Sequence, residues 1–300
     1  MSVHYNSQDL SQYWDGLIDI SPPEWIVSME YIKNNTPSRK SSNPEKQTSF
    51  EEEMQKRIKG VYYIFNCSRH LHLSRSVSLM AAIYLQRFYL KMEVKSYHYY
   101  DVGAASIFIA CKAEESRRKM SDVVKLCVRV ALGNKEQIDE SSKIFWKRKA
   151  TITNLEEIIL DVFSFDVTPE NPYRLVTNAL GIGYPNDSKS ENNDQNRELF
   201  THCINYLEII YRIPVCLLYT TEYICALALV YASQKTKIPL KENFLVEKFN
   251  IESENLFNCY KDVVQLAKFT NMKERVFNIV PLISIISEDN FKSVASGNLS

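Results

Sequence analysis

Glycine and proline are scarce in this 300-residue sequence, which contains only 7 glycines and 10 prolines. Both residues interrupt regular elements, whereas leucine, lysine, glutamate and alanine, which are common here, favour helices. The period-two alternation of apolar and polar residues that is typical of strands is also absent over useful lengths. These absences predict an all-α chain.

The sequence also lacks a surplus of charge and a long hydrophobic run. Its 36 basic residues balance 36 acidic ones, whereas a general nucleic-acid binder usually carries a basic surplus, so direct nucleic-acid binding is disfavoured. No apolar run approaches the roughly 20 residues needed to span a bilayer, and no signal peptide opens the sequence. Because 45% of the residues are hydrophobic and 24% are charged, we expect a globular, intracellular protein without membrane association.

Catalytic and metal-binding motifs are missing as well. The sequence has no P-loop, dinucleotide-binding glycine run, HExxH or GxSxG, and none of its 7 cysteines forms a CxxC pair. Cys67, His70 and His72 are possible zinc ligands, but no second cluster completes a tetrahedral site. We therefore predict no catalytic residue, no metal and no cofactor. Four cysteines in apolar helical stretches are interpreted as small buried hydrophobic residues of a reducing compartment, namely Cys111, Cys127, Cys203 and Cys225.

Capping residues and apolar spacing predict one order of helices that occurs twice. After a short helix over 24–33, the first series covers 48–67, 74–88, 102–111, 121–132 and 142–163. After Asn171 and Pro172, the second series covers 171–181, 197–211, 221–232, 240–249 and 254–269, and residues 184–196 are predicted to form a solvated loop. The third helix of each series is apolar all round and rich in small residues, which predicts a buried central helix.

This repeat divides the chain into four predicted segments. They are an N-terminal arm and helix over 1–47, a first five-helix domain over 48–166, a second over 167–272, and a C-terminal segment with a polar tail over 273–300.

Short motifs on successive helices resemble the cyclin box of transcriptional cyclins, especially the T and K types. They are QRFY at 86–89, IACKAEE at 109–115, LEEIIL at 155–160 and FSFDV at 163–167, together with Trp25 and TPSR at 36–39. The likeness covers about residues 24–272. It is strong in the first repeat and weaker in the second, where it rests mostly on the pattern of the helices. The resemblance implies two tandem five-helix cyclin folds with an extra N-terminal helix.

The resemblance also implies a function and a site. Cyclins are non-catalytic subunits that bind and activate a cyclin-dependent kinase, and they pack the ends of their third and fifth helices against the kinase's mobile αC helix. For the T and K types, the implied kinase phosphorylates the C-terminal repeats of RNA polymerase II in the nucleus and supports transcription elongation. Seven residues match the kinase-binding surface, namely Ile109, Lys112, Ala113, Glu115, Glu156, Leu160 and Phe165.

Helical spacing agrees with this site. Ile109, Lys112 and Ala113 share one helical face, and so do Glu156 and Leu160. The resemblance implies that Lys112 and Glu156 form a charged pair that hydrogen-bonds the kinase backbone, within a mixture of charged and apolar groups that suits a specific interface. Each residue alone has a simpler interpretation, because a helix-end lysine complements the helix dipole, an exposed glutamate is merely solvated and a phenylalanine usually lies in the core.

Two positions depart from the cyclin pattern. Arg57 falls where cyclins carry an arginine that, in many of them, pairs with an acid at the position of Gln86. Because that position is a neutral amide here, three alternatives remain open for Arg57: a hydrogen bond to Gln86, a different acidic partner, or a solvated side chain. We interpret both residues as structural. Residues 56–60 are too polar to form the substrate-recruiting groove of cell-cycle cyclins.

The alternative function is that of a TFIIB-like factor with two cyclin folds that binds promoter DNA. Such a factor would require an amino-terminal zinc ribbon and a basic surface, and the sequence indicates neither. A helical scaffold without a kinase is a third possibility. The short basic runs at 117–119 and 147–149 are interpreted as solvated faces, with phosphate or RNA contact as the alternative.

Overall fold

A computed structural model of the chain describes residues 25–133, 138–182, 192–270, 279–283, 286–295 and 297. All regular elements within these ranges are helical, which confirms the all-α prediction. No helix in this part of the chain is long and apolar enough to span a membrane. The residues group into two compact units, with a division between Pro169 and Glu170.

The α-helices are numbered in chain order. They are α1 Met29–Asn34, α2 Pro37–Lys40, α3 Phe50–His70, α4 Arg75–Lys91, α5 Tyr99–Ala113, α6 Met120–Leu132, α7 Lys143–Val162, α8 Pro172–Leu180, α9 Asn192–Ile210, α10 Thr221–Thr236, α11 Phe244–Phe249, α12 Ser253–Ala267, α13 Val280–Ile283 and α14 Glu288–Ala295. Short 3-10 helices lie at Pro214–Leu217 and Lys268–Thr270.

The first unit contains α2, the end of α3 from Tyr63 onwards, and α4 to α7. Helix α5 is its centre and packs against α4, α6 and α7. Every residue from Val102 to Cys111 is buried, as its apolar composition predicted. Gly103 permits the close approach of α3, because a Cβ atom there would lie 3.1 Å from Tyr63 Cδ1 and 3.2 Å from Ile64 Cγ1.

The second unit contains α1, the start of α3 up to Tyr62, and the helices from α8 onwards. Its central helix is α10, which packs against α8, α9 and α12. Residues Ile224 to Ser233 of α10 are all buried, which confirms the prediction of a second buried central helix. The four cysteines predicted to be buried are buried in their respective units.

Local signals set many of the helix ends where the sequence predicts them. Ser74 Oγ accepts a hydrogen bond from the Val77 amide and begins α4. Asn171 Oδ1 accepts one from the Tyr173 amide and begins α8. Gly133 and Gly181 end α6 and α8 with φ of 61° and 67°, in the left-handed conformation that glycine adopts without steric cost.

Other helix ends differ from the predictions. The predicted helix over 24–33 begins within the described residues only at Met29, because Ser28 Oγ caps the Tyr31 amide; residue 24 lies outside them. In the predicted loop 184–196, residues 192–196 form the start of α9, where Asn196 donates a hydrogen bond to the Leu180 carbonyl. Residues 184–191 lie outside the described ranges.

The segment predicted as a polar tail contains helix α14. Its Phe291 and Val294 side chains are buried, and the Phe291 ring lies 4.7 Å from that of Tyr260. Two buried apolar residues three positions apart are enough to hold a short helix against the second unit, and so weak a pattern did not stand out in a polar stretch.

Candidate functional site

The ends of α5 and α7 meet at a charged pair in the first unit. Lys112 Nζ lies 2.6 Å from Glu156 Oε1, and the Lys112 and Glu156 side chains are 58% and 12% exposed. The ammonium group also lies 4.4 Å from the centre of the Phe108 ring, within the range of a cation–π contact. Lys112 is therefore held in a defined position while most of its surface remains accessible to a partner.

The chain reverses direction immediately after α5. Glu114 accepts a hydrogen bond from Ser76 Oγ of α4 at 2.6 Å, which fixes the end of the helix. Glu115 adopts a φ of 52°, and its amide donates to the Lys112 carbonyl. Its carboxylate is exposed beside the partly exposed Ala113. This helix end thus presents both signs of charge.

Helix α7 ends in a tight turn that holds an aromatic ring in solvent. Ser164 and Phe165 have φ values of 49° and 63°, a region that costs a residue with a side chain about 1–2 kcal/mol. The Phe165 amide donates to the Leu160 carbonyl at 2.9 Å and closes the turn. The phenyl ring is 68% exposed, so the alternative of a core residue does not apply to Phe165.

A latch formed by Trp25, Arg87 and Asp166 stabilises this strained turn. Asp166 Oδ2 accepts a hydrogen bond from Trp25 Nε1 at 2.9 Å and lies 3.4 Å from Arg87 Nη1. The Arg87 guanidinium lies 4.7 Å from the centre of the Trp25 ring, and Trp25 meets the Phe163 ring edge to face. The latch ties the turn to the residues before α1 and to α4, which offsets the backbone strain.

Tyr84 fixes the residue that follows the latch. Its hydroxyl donates to the Val167 carbonyl at 2.5 Å. Burial raises the pKa of Tyr84, and the Glu114 charge adds to this effect while the Arg87 charge opposes it. The phenol therefore keeps its proton at neutral pH and remains a donor.

Two more of the residues predicted for the kinase-binding surface lie on the same helices. Leu160 is partly exposed near the end of α7. Ile109 is only 3% exposed, so it belongs to the core and not to the accessible surface; its position on the face of Lys112 places it one turn deeper in the bundle. We call the other six residues, which are partly or mostly exposed, the helix-end surface: Lys112, Ala113, Glu115, Glu156, Leu160 and Phe165.

Arg57 has an acidic partner on its own helix. Its Nε and Nη2 atoms each lie 2.7 Å from Glu53 Oε1, and both side chains are fully buried in the second unit. Another acid thus replaces the partner that the cyclin pattern places at Gln86, which is itself fully buried. The four-residue spacing between Glu53 and Arg57 could have indicated an ion pair on one helix face, although this spacing does not distinguish a buried pair from an exposed one.

The possible zinc ligands do not converge. Cys67 is buried, and burial raises the pKa of its thiol, whereas His70 and His72 are exposed. Among the residues that the structure describes, no group of three or more histidine, cysteine or acidic side chains is arranged to hold a metal ion.

Comparisons with known proteins agree with this architecture. Residues 26–168 match the family model "Cyclin, N-terminal domain". The chain is 34% identical over 218 residues to Cyclin pch1 of Schizosaccharomyces pombe, and the aligned region covers 72% of this chain and 59% of that protein. It is 25% identical over 268 residues to Cyclin-T1-2 of Oryza sativa subsp. japonica, and this aligned region covers 84% of the chain and 38% of that protein.

A solved structure has the same fold. A chain of the yeast RNA Pol II CTD kinase CTDK-1 complex superposes with a TM-score of 0.62 at 16% identity, over 93% of this chain and 86% of that one. Two tandem five-helix bundles around buried central helices, preceded by a short helix, therefore define a protein with cyclin folds, as the resemblance predicted.

Residues 26–168 thus carry the N-terminal domain of cyclins, and the chain is similar to cyclins of the transcriptional type, as the sequence motifs predicted. It spans less than two thirds of the length of the two cyclins compared above.

Proposed function

We propose that this chain is a non-catalytic regulatory subunit that binds a cyclin-dependent kinase and activates it. The observation that carries the proposal is the Lys112–Glu156 pair, which joins two helix ends at an accessible surface. The exposed Phe165 ring, in the turn that follows the helix of Glu156, supplies an apolar anchor. Interfaces combine such aromatic anchors with charges that set register.

The pair retains hydrogen-bonding capacity for a partner. The Lys112 ammonium has three donors, and Glu156 Oε1 takes one of them. The remaining donors suit backbone carbonyls at the end of a partner helix. Glu156 holds the ammonium in place, so little side-chain entropy is lost when the kinase binds.

Activation follows from differential binding. A kinase is active when its β3 lysine pairs with a glutamate of αC, and αC is expected to lie out of position in the isolated kinase. A rigid surface that binds the inward position of αC more tightly shifts the equilibrium toward it by the difference in affinity. The strained turn at Phe165, held by the latch, gives the surface the required rigidity.

The substrate is proposed from the relatives. The structural neighbour comes from a complex whose name identifies an RNA polymerase II C-terminal-domain kinase, and cyclin T proteins are among the relatives. We therefore propose that the partner kinase phosphorylates the C-terminal repeats of RNA polymerase II and that the complex is nuclear. Promoter-DNA binding lacks comparable support, because the relatives compared here are cyclins and the formal net charge is zero.

The test begins with affinity purification of the chain and mass spectrometry of the co-purifying kinase. The variant Lys112→Glu with Glu156→Lys keeps an internal ion pair but presents each charge to the wrong partner group. We expect kinase binding to weaken by about 2–5 kcal/mol, which is a rise in Kd of about 30-fold or more. Phosphorylation of a C-terminal repeat peptide should fall in parallel.

The chain offers a matched control for this variant. Lys125 Nζ lies 2.6 Å from Glu140 Oε1 in another exposed pair of the first unit, and its reversal should leave kinase binding unchanged. As a second variant, Phe165→Ala should weaken binding without lowering the folding stability, because the ring is mostly exposed. Unchanged binding by the folded Lys112 and Glu156 double variant would remove this surface from the proposal.

A further inference from the structure

A second surface of the first unit lies at the start of α7. The first seven residues of this helix include four basic side chains, Lys143, Lys147, Arg148 and Lys149, and its first turn contains no acid. The N-terminus of a helix already carries a partial positive charge, so basic residues there oppose the helix dipole. This arrangement costs stability within the chain and favours an anionic partner.

Three of these four charges have no carboxylate partner. Arg148 Nη1 is paired with Asp101 Oδ1 at 2.5 Å, and the nearby Glu140 is paired with Lys125. Within the described ranges, Lys143, Lys147 and Lys149 have no such partner. Because Lys149 is only partly exposed, Lys143 and Lys147 are the two uncompensated ammonium groups that the surface presents most openly to solvent.

A groove of mixed polar and apolar lining adjoins these lysines. It has a volume of about 420 Å³; Val128, Ala131, Ile144 and Ile152 form much of its apolar lining, and Lys147 and the Arg148–Asp101 pair belong to its polar lining. Residues 56–60, which are too polar for the recruiting groove of cell-cycle cyclins, do not line it. The space admits a bulky apolar side chain beside a positive charge.

Three large apolar side chains are exposed near the end of α6 and the start of α7, and one of them, Ile144, lines the groove. Leu132 is 55% exposed, Ile144 is 39% exposed and Trp146 is 56% exposed. Lys143, Trp146 and Lys147 are three and four residues apart, so they share one face of α7. A groove in which an exposed apolar side chain lies beside a charge, as Ile144 does beside Lys147, suits a specific interaction.

We propose that this surface, which we call the α7 groove, binds an acidic peptide segment of a partner protein that carries a bulky apolar residue. The apolar residue enters the groove beside Ile144, and neighbouring aspartate or glutamate side chains pair with Lys143 and Lys147. Carboxylates suit these lysines, because the guanidinium that would bind a phosphate in bidentate fashion is held by Asp101.

The same features favour a peptide over single-stranded RNA. RNA-binding surfaces stack bases on open aromatic faces, but the Lys149 ammonium lies 4.7 Å from the centre of the Trp146 ring and covers one of its faces. The Phe145 ring also packs edge to face against Trp146. A groove beside two exposed lysines, without an open aromatic face, is a better match to a short acidic segment than to a polyanion.

The test uses the purified full chain and a displayed library of random linear peptides. Selection should enrich sequences in which aspartate or glutamate flanks a bulky apolar residue. Synthetic copies of these peptides, measured by fluorescence anisotropy, should bind about tenfold or more weakly to the variant Lys143→Glu with Lys147→Glu. Binding should also weaken as salt increases, because exposed charges are screened.

Matched changes separate this site from general charge effects. Lys241→Glu with Lys248→Glu makes the same change of charge at exposed positions of the second unit and should leave peptide binding unchanged. Ile144→Ser should weaken binding without altering charge. The absence of acidic residues among selected peptides, or equal binding by the Lys143 and Lys147 variant, would overturn the proposal.

Two further readouts complete the experiment. If a uridine-only RNA binds the wild-type chain more tightly than the selected peptides and loses affinity in the Lys143 and Lys147 variant, the surface binds nucleic acid and the peptide proposal is wrong. Kinase activation is measured in parallel and should be unchanged by this variant. Conversely, the variant Lys112→Glu with Glu156→Lys should bind the peptides normally, so the failure of one proposal is distinguishable from that of the other.

Discussion

Replacement of Glu53 by leucine should reveal the energetic cost of removing one member of a buried ion pair in the second unit. Glu53 and Arg57 lie one turn apart on α3 and are fully buried, with two nitrogen atoms of Arg57 at 2.7 Å from one carboxylate oxygen. In the variant Glu53→Leu, the guanidinium stays buried and loses this partner, which costs about 3–5 kcal/mol. Because a domain is typically stable by about 5–15 kcal/mol, this is a large fraction of the total.

Removal of both charges should cost much less than removal of one. In the double variant Glu53→Leu with Arg57→Met, two apolar side chains replace the pair, so neither of its two charges has to be desolvated. Such replacements are often neutral or stabilising, by up to about 1–4 kcal/mol. We therefore expect the double variant to be more stable than Glu53→Leu, which gives a large coupling energy in a double-mutant cycle.

The same helix supplies the control. Lys56 Nζ lies 2.8 Å from Glu52 Oε1 at the same spacing, but these side chains are 25% and 42% exposed, and such pairs contribute only about 0.3–0.5 kcal/mol. Urea denaturation of the full chain, followed by circular dichroism and tryptophan fluorescence, measures all variants. If Glu53→Leu cost no more than Glu52→Leu, or if the double variant were as unstable as Glu53→Leu, the argument would be refuted.

Two further predictions concern α5. Gly103→Val should lower the unfolding free energy by about 1–3 kcal/mol through overpacking, since even a Cβ atom would lie 3.1 Å from Tyr63 Cδ1; a urea midpoint at or above that of the wild type would contradict this. Burial raises the pKa of Cys111 from 9.0 to about 11, so the folded chain keeps a proton that the unfolded chain releases, and stability should fall as pH rises through this range. Cys111→Ala should make that fall shallower in urea titrations at several pH values, and an unchanged slope would show that another group is responsible.

The order of the helices follows from local sequence. Ser74 and Asn171 act as caps, and Gly133 and Gly181 end their helices in the left-handed conformation, because each signal lies within one turn of the end that it determines. The two central helices were predictable from composition, since a helix without a polar face has to be surrounded by others. Helix α14 was missed because two apolar residues in a polar stretch give too little pattern.

The pairing of Lys112 with Glu156 in the candidate site was predictable from the sequence, but the burial of Ile109 and the residues that support the site were not. The cyclin motifs indicate Lys112 and Glu156 individually, and their contact spans 44 positions in the sequence. The hydrogen bond of Trp25 to Asp166 spans 141 positions, so no local pattern predicts the latch. The exposure of Phe165 depends on a left-handed backbone that propensity disfavours for a bulky residue, which is why sequence reasoning also favoured a core position.

Helix α5 separates the two surfaces of the first unit. Tyr100, near its start, lines the α7 groove, whereas Lys112, near its end, belongs to the helix-end surface. These twelve positions correspond to about 18 Å along the axis at 1.5 Å per residue. Because α7 likewise carries the free lysines at its start and Glu156 and Leu160 toward its end, the two surfaces share a rigid framework without sharing side chains. The two proposals therefore involve different side chains, and they predict together that an acidic peptide bound in the α7 groove does not displace a kinase from the helix-end surface.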